Sequence, residues 1–283
     1  MAKKSISDLI GMKERNERIT YLVVYDFYAA RLAEQAGVDI LLVGDTVGPA
    51  IYGFETLLPV TMEQMIAHCQ AVRKGAPNTF VVGDLPFLSY EISASEAVRN
   101  AGRLIKESGV DAVKPEGGRN MISQIKAIAD AGMAVQGHIG FTPHYWARMG
   151  GRAKLQADTS DAAIQVFEDA KAVEEAGAFS LVVVGIPADV AKAVTERSEL
   201  PVICMGAGSD CDGQALLSAD MLVIAKFFIP ECVKKYANFS DEMLRAFREY
   251  VADVRKGRFP EEKHYSTLRP EEQKRFKELL EKV

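Results

Sequence analysis

Long hydrophobic runs are missing from this 283-residue chain. Stretches such as Ile40–Val43 and Leu181–Val184 are broken by a Gly or a charge, far short of the ~20 apolar residues that span a bilayer. No transmembrane helix is expected. The two lysines of Met1-Ala-Lys-Lys4 are followed by more Lys, Glu and Arg instead of an apolar segment and cleavage site, so no secretory leader is expected either. Cysteine is scarce. Cys69, Cys204, Cys211 and Cys232 show no CxxC spacing, and a chain of this length needs no disulfide staple; reduced thiols in a cytoplasmic protein are the reading, with Cys204 and Cys211 able to approach one another. An excess of positive charge is also lacking: 34 Lys+Arg stand against 39 Asp+Glu, for a net charge of −5. Without a basic stripe there is no electrostatic footprint for nucleic acid. Nor does any Pro-, Gly- or Ser-rich linker or low-complexity tract divide the chain.

What is present is a composition of 48% hydrophobic and 8% aromatic residues, enough for a large core, and a recurring unit. An amphipathic stretch ends in Gly, and a short β-rich run follows. The clearest copies are Ala36-Gly37-Val38 before Ile40–Asp45, Ser108-Gly109-Val110 before Ala112–Glu116, Ala131-Gly132 before Ala134–His138, and Ala176-Gly177 before Ser180–Val184. Gly suits the left-handed cap that ends a helix, and near-continuous apolar runs suit strands buried on both faces of a parallel sheet. With Ile19–Asp26, Thr79–Asp84, Pro201–Met205 and Met221–Ile224 the count reaches eight, the number that closes a (βα)8 TIM barrel, for which roughly 250 residues suffice. A doubly wound open sheet is the competing α/β architecture, but no GxGxxG follows the first strand. The expected organisation is one barrel domain over residues 1–283, with 1–18 as an N-terminal helical cap and 238–283 as a C-terminal helical extension. A helix over Ser5–Glu14 is placed to plug the barrel bottom. Another, capped by Ser240, carries Met243, Leu244, Phe247, Val251 and Val254 at helical spacing, and Pro270 opens a last one.

In a closed barrel the chemistry sits at the C-terminal mouth. There the strand ends supply Asp26, Asp45-Thr46, Asp84, Lys114 with Glu116, and His138. Asp26, just before Phe27 and Tyr28, also suits a plain helix cap. Asp45, Asp84 and Glu116 converge beside Lys114 if the barrel closes, and such carboxylates do not crowd together uncompensated. A hard divalent cation is the remedy, and Mg²⁺ suits oxygen ligands with open positions for substrate oxygens. Zinc is disfavoured because His68, His138, His144 and His264 show no HxxxH or similar spacing. Lys114 suits a developing enolate or keto oxygen. His68 reads as structural, and His144 and Trp146, after Thr142-Pro143, as parts of a lid or a subunit contact.

The ordered strings Val43-Gly-Asp45-Thr-Val-Gly48, Leu58-Pro-Val-Thr61, Gly83-Asp84-Leu-Pro-Phe87, Val113-Lys114-Pro-Glu116-Gly-Gly118, Gly137-His138-Ile-Gly140, Gly206-Ala-Gly208 and Asp253–Pro260 resemble the ketopantoate hydroxymethyltransferase family from about Ile19 to Tyr265. The resemblance implies a barrel of the phosphoenolpyruvate/pyruvate superfamily, dependence on Mg²⁺, and a homo-oligomer, commonly a decamer. It implies that a 2-oxo acid, 3-methyl-2-oxobutanoate, forms an enolate that takes a one-carbon unit from 5,10-methylenetetrahydrofolate, a step of pantothenate biosynthesis. Carried across, Asp45 and Asp84 match the magnesium carboxylates with Glu116 nearby. Thr46, where the family usually has Ser, matches the group that bonds the substrate carboxylate; Lys114 would bind a substrate oxygen and His138 shape the pocket. One departure stands out. In Val183-Val184-Gly185-Ile186-Pro187, Val184 occupies the place of a family glutamate proposed as a catalytic acid/base, a role worth roughly 10²- to 10⁴-fold in rate. Two further readings therefore stay open: a folate-independent lyase, decarboxylase or tautomerase acting on another 2-oxo acid, and a non-catalytic 2-oxo-acid-binding protein.

Overall fold

A computed structural model describes residues 3–151, 154–224 and 229–283. The chain forms two compact units, Met1–Tyr236 and Ala237–Val283. In the first, eight parallel strands alternate with helices. They are β1 (Ile19–Val23), β2 (Ile40–Val43), β3 (Phe80–Asp84), β4 (Ala112–Lys114), β5 (Gln136–Gly140), β6 (Ser180–Val184), β7 (Val202–Met205) and β8 (Gly213–Leu217). The order β4-β3-β2-β1-β8-β7-β6-β5 makes a continuous parallel ladder. A parallel bridge between Val113 and Val135 joins its two ends, with the Val113 N–H donating to the Ala134 carbonyl at 3.0 Å. This nearly closed barrel is the expected architecture, and the doubly wound alternative falls. Strands β2 and β3 are buried along their whole length, which explains their unbroken apolar sequences.

The eighth strand lies earlier than its expected position. The apolar run Met221–Ile224 is not a strand: Ser218–Met221 forms a single helical turn, and Val223 has a left-handed φ of 49°. The strand is Gly213–Leu217, whose register runs Ile19 to Gly213 and Val23 to Leu217. Its signal is weak because Gln214 faces outward while Gly213 has no side chain. That glycine is required by the seam, since a Cβ there would stand 2.6 Å from the Ile19 carbonyl oxygen.

Helices α1 (Ile6–Glu14), α2 (Phe27–Gln35), α3 (Met62–Gly75), α4 (Ala94–Ser108), α5 (Ile122–Asp130), α6 (Ser160–Glu175) and α7 (Ala188–Arg197) complete the unit with the short α8 (Ser218–Met221). Their starts follow from sequence. Thr61 and Gln64 form a reciprocal capping box on α3, and Ser93 caps α4, which ends at the left-handed Gly109. Asp26 caps α2 by accepting the Tyr28 and Ala29 N–H groups at 2.8 and 2.9 Å; it is a cap and not part of the mouth cluster. Helix α1 and the residues before it meet the segments that precede β2, β4 and β8. Its Leu9 and Met12 are buried. Lys13 bonds Asp212, just before β8, at 2.7 Å, Lys4 pairs with Asp39 before β2 at 3.0 Å, and Lys3 pairs with Asp111 before β4. Inside the barrel, the Tyr21 hydroxyl reaches Gln136 of β5 at 2.5 Å, and Gln136 in turn donates to Ser180 of β6 at 2.8 Å.

The second unit contains α9 (Phe239–Arg255) and α10 (Pro270–Leu280). Helix α9 carries the expected apolar spacing, but its cap is Asn238, whose Oδ1 accepts the Asp241 N–H at 3.3 Å, and not Ser240, which lies within the first turn. Pro270 opens α10 as expected. All four cysteines are free thiols. Among the described residues no helix is long and apolar enough to cross a membrane.

Because the β1–β8 seam leaves no room for a side chain, Gly213→Ala is expected to lower stability by about 1–3 kcal/mol, read as a lower midpoint in urea unfolding. An unchanged midpoint would show that the seam has slack.

Candidate active site

Four consecutive strands, β2 to β5, bring their C-terminal ends to one side of the mouth, and the residues at and just beyond those ends form a buried ionic cluster. Asp45 follows β2 after Gly44. A Cβ on Gly44 would meet Thr46 Oγ1 at 2.7 Å and crowd Asp84 Oδ2 at 3.4 Å, so glycine lets β2 and β3 present their carboxylates side by side. Asp84 Oδ2 accepts the Asp45 N–H at 3.1 Å. The other oxygen, Oδ1, lies 2.8 Å from Lys114 Nζ without an aligned hydrogen bond. Lys114 also stands 3.3 Å from His138 Nδ1. His138 Nε2 donates to the Phe141 carbonyl at 2.9 Å, and its Nδ1 lies 3.4 Å from Glu116 Oε1. Thr46 Oγ1 sits 2.9 Å from the Tyr25 hydroxyl. Asp45, Thr46, Asp84, Lys114, Glu116 and His138 thus occupy one end of the barrel, linked directly or through neighbours.

Two residues of the cluster lay outside that expected set. His144, in the 3-10 turn Pro143–Tyr145 after β5 and read from its loop position as part of a lid or a subunit contact, is buried within this cluster. Its Nε2 lies 2.6 Å from Asp45 Oδ2, and its main-chain N–H donates to Glu116 Oε2 at 3.1 Å. Tyr90, beyond β3, accepts the Glu116 N–H at 2.9 Å and donates to the Glu116 carbonyl at 3.1 Å, with its oxygen 2.8 Å from His144 Nδ1. No spacing rule finds these contacts, because Asp45 and His144 are 99 positions apart. His68 is structural, held by the Tyr25 carbonyl at 2.5 Å and the Tyr52 hydroxyl at 2.9 Å.

Burial sets the electrostatics. Asp45, Asp84, Lys114, Glu116, His138 and His144 are each no more than 6% exposed. Burial and the neighbouring Asp45 and Glu116 push Asp84 up to about 6 against the pull of Lys114. Asp45 is raised for the same first reason, with Glu116 adding to it. Burial opposes the charge on Glu116 too, but His138, His144 and Lys114 outweigh it and hold this carboxyl at about 2. For His144, burial is overcome by Glu116, Asp45 and Glu91, which push it up to about 10. Lys114 is raised, its desolvation outweighed by Asp84, Glu116 and Asp45. Every positive group here is bound by carboxylates that outnumber a single lysine.

That donor set fits a divalent cation. Oxygens of Asp45 and Glu116 and a nitrogen of His144 lie within 4.8 Å of one another, while the buried Asp84 is engaged by Lys114 at 2.8 Å.

A family model described as ketopantoate hydroxymethyltransferase matches residues 3–262. The chain belongs to the ketopantoate hydroxymethyltransferase family. It is 48% identical over 280 residues to the 3-methyl-2-oxobutanoate hydroxymethyltransferase of Alkaliphilus metalliredigens (strain QYMF), covering 99% of this chain and 98% of that protein. It is 47% identical over 262 residues to the protein of the same name from Syntrophus aciditrophicus (strain SB), covering 93% and 96%. Among solved structures, a 2,3-dimethylmalate lyase of the PEP mutase/isocitrate lyase superfamily superposes with a TM-score of 0.59 at 17% identity, over 98% of this chain and 95% of that one. The phosphoenolpyruvate phosphomutase of Streptomyces platensis subsp. rosaceus gives 0.59 at 14% identity, over 90% and 88%. These two likenesses establish the barrel fold. Within this ketopantoate hydroxymethyltransferase family member, Val184 ends β6, in register with Gly140 and Met205.

Removal of the Tyr90 hydroxyl strands the Glu116 N–H and one face of His144. Tyr90→Phe is therefore expected to cost roughly 1–3 kcal/mol in chemical unfolding, whereas a loss below about 0.5 kcal/mol would mean that water replaces the hydroxyl.

Proposed function

We propose that the chain is an Mg²⁺-dependent hydroxymethyltransferase that adds a one-carbon unit from 5,10-methylenetetrahydrofolate to C3 of 3-methyl-2-oxobutanoate, giving ketopantoate. Family membership supports the reaction class, and the observation that carries it is the buried carboxylate cluster at the barrel mouth. Asp45, Asp84 and Glu116 are the carboxylates that would hold the cation. When bound, the cation supplies Lewis-acid charge to the oxygens of a 2-oxo acid. The protein's own residues do the rest. Lys114 brings a fixed ammonium to the oxygen on which charge develops as C3 loses its proton. Thr46 offers a hydroxyl for the substrate carboxylate, and His138, oriented by the Phe141 carbonyl, shapes the pocket beside Lys114. Burial of the cluster keeps water from competing for these contacts. Water cleaves the two methylene C–N bonds, its protons leaving on the nitrogens of tetrahydrofolate and its oxygen staying on the freed one-carbon unit; the enolate C3 adds to that carbon, and the resulting alkoxide takes up a proton in exchange for the one lost from C3. The same reading includes a homo-oligomer, of which the decamer is the family's common form, and a cytoplasmic role in pantothenate biosynthesis.

Val184 favours a second reading. A valine moves no proton, so an enolate formed in this mouth lacks the glutamate at the end of β6 on which the family resemblance relies. The same cluster would serve a lyase, decarboxylase or tautomerase acting on another 2-oxo acid without folate. Incubating the metal-loaded protein with 3-methyl-2-oxobutanoate, 5,10-methylenetetrahydrofolate and D₂O separates the readings. Ketopantoate is the expected product. Deuterium at C3 without ketopantoate supports the folate-independent enzyme, and neither product nor exchange leaves a non-catalytic binder.

Asp84→Ala is expected to weaken divalent-cation binding by at least about tenfold and to remove activity; unchanged Mg²⁺ affinity in a calorimetric titration would show that Asp84 is not a ligand. Val184→Glu is expected to raise hydroxymethyl transfer by roughly 10-fold or more. An unchanged rate would mean that another group already moves the proton.

A further inference from the structure

We propose that His144 is a direct nitrogen ligand of the cation held by Asp45 and Glu116, so that the centre gains affinity for borderline transition ions such as Co²⁺ while its affinity for Mg²⁺ stays nearly that of the carboxylates alone. The inference rests on the cation reading above and names one more residue of that site.

Hydrogen bonding around Tyr90 fixes the histidine tautomer. The Tyr90 oxygen accepts the Glu116 N–H at 2.9 Å, and its single proton goes to the Glu116 carbonyl at 3.1 Å. Toward His144 Nδ1, at 2.8 Å, that oxygen therefore has only a lone pair to offer. Nδ1 must carry the proton. Glu91 Oε1, 3.4 Å from the same nitrogen and otherwise without a hydrogen-bond donor, favours the same assignment. The remaining nitrogen, Nε2, faces Asp45 Oδ2 from 2.6 Å, a gap bridged by a proton in the free protein. A metal ion displaces that proton and takes both atoms as neighbouring ligands, with a small widening of their separation.

The surroundings hold the ring as metal ligands are usually held, by an acceptor on the nitrogen that does not bind the metal. Phe87 and Tyr90 pack against the imidazole with centroids 5.7 and 5.8 Å away. The His144 N–H fixes Glu116 Oε2 at 3.1 Å, so two ligands are oriented by one another. Nε2 and the Asp45 and Glu116 oxygens fit within a 4.8 Å spread, consistent with donors around one ion at bonds of about 2.0–2.2 Å. An imidazole adds little for Mg²⁺, which prefers oxygen, and much for Co²⁺.

Calorimetric titration of Mg²⁺ and Co²⁺ into the full-length protein and into His144→Gln and Asp45→Asn tests this, together with pulsed EPR of the Mn²⁺-loaded protein labelled with ¹⁵N-histidine. Co²⁺ affinity is expected to fall at least about tenfold in His144→Gln, while Mg²⁺ affinity moves by less than about threefold. The wild-type spectrum should show a directly bound histidine nitrogen that disappears in His144→Gln. Absence of that coupling in wild type, its survival in His144→Gln, or equal Co²⁺ affinity in the two proteins overturns the inference. The spectrum of the wild type needs no variant, so a poorly folding substitution does not shelter it. If Asp45→Asn weakens binding and His144→Gln does not, only the nitrogen ligand falls. If neither variant changes binding, the cation site itself is misplaced.

Discussion

Crowding like charges away from water is the constraint around which this barrel mouth is organised. Asp45, Asp84 and Glu116 are buried within reach of one another, and no carboxylate in a low-dielectric site keeps its charge without a partner. The chain answers with Lys114 on β4, His138 on β5 and His144 just beyond β5. Lys114 and His138 each meet an acid of the neighbouring strand, while His144 reaches across the mouth to Asp45, which the parallel order β2-β3-β4, closed on β5 by the Val113–Val135 bridge, makes possible. The fold therefore fixes both the problem and its remedy. An open sheet would have left β4 and β5 at opposite edges and the cluster dispersed.

Much of this was legible in the sequence, and for identifiable reasons. Parallel strands buried on both faces are apolar throughout, so β2, β3 and β6 are plain to see, and the polar residues that end them mark the mouth. The eighth strand was misread because apolarity is a poor guide where a strand is half exposed and its key residue is a glycine chosen for lack of bulk. Met221–Ile224 is the more hydrophobic run, but Gly213–Leu217 alone can close against Ile19. The cap of α9 shows a similar limit: two polar residues lie near the helix start, and Asn238, just before it, takes the role while Ser240 falls inside the first turn.

His144 shows a different kind of limit. Metal-ligand spacing is informative when ligands share one helix or one tight loop, and here the partners lie on β2 and beyond β5. Nothing local to Thr142-Pro143-His144 signals that its imidazole meets Asp45. Tyr90 was equally hidden, since a buried aromatic looks like core until its hydroxyl is seen to bind the main chain on both sides of Glu116. The mouth thus combines residues expected from the family resemblance with His144, buried against Asp45, and with Val184 at the end of β6.

The ties made by α1 have a further meaning for how such a protein changes over time. Lys3, Lys4 and Lys13 fasten the ends of strands β4, β2 and β8 that face away from the mouth, and the Tyr21–Gln136–Ser180 contacts brace the interior. Bracing is thereby supplied from below, by side chains remote from the mouth cluster. The loops above are left free to exchange one reactive group for another without endangering the scaffold, and a valine in place of an acid at the tip of one stave is the sort of experiment such an arrangement lets evolution run.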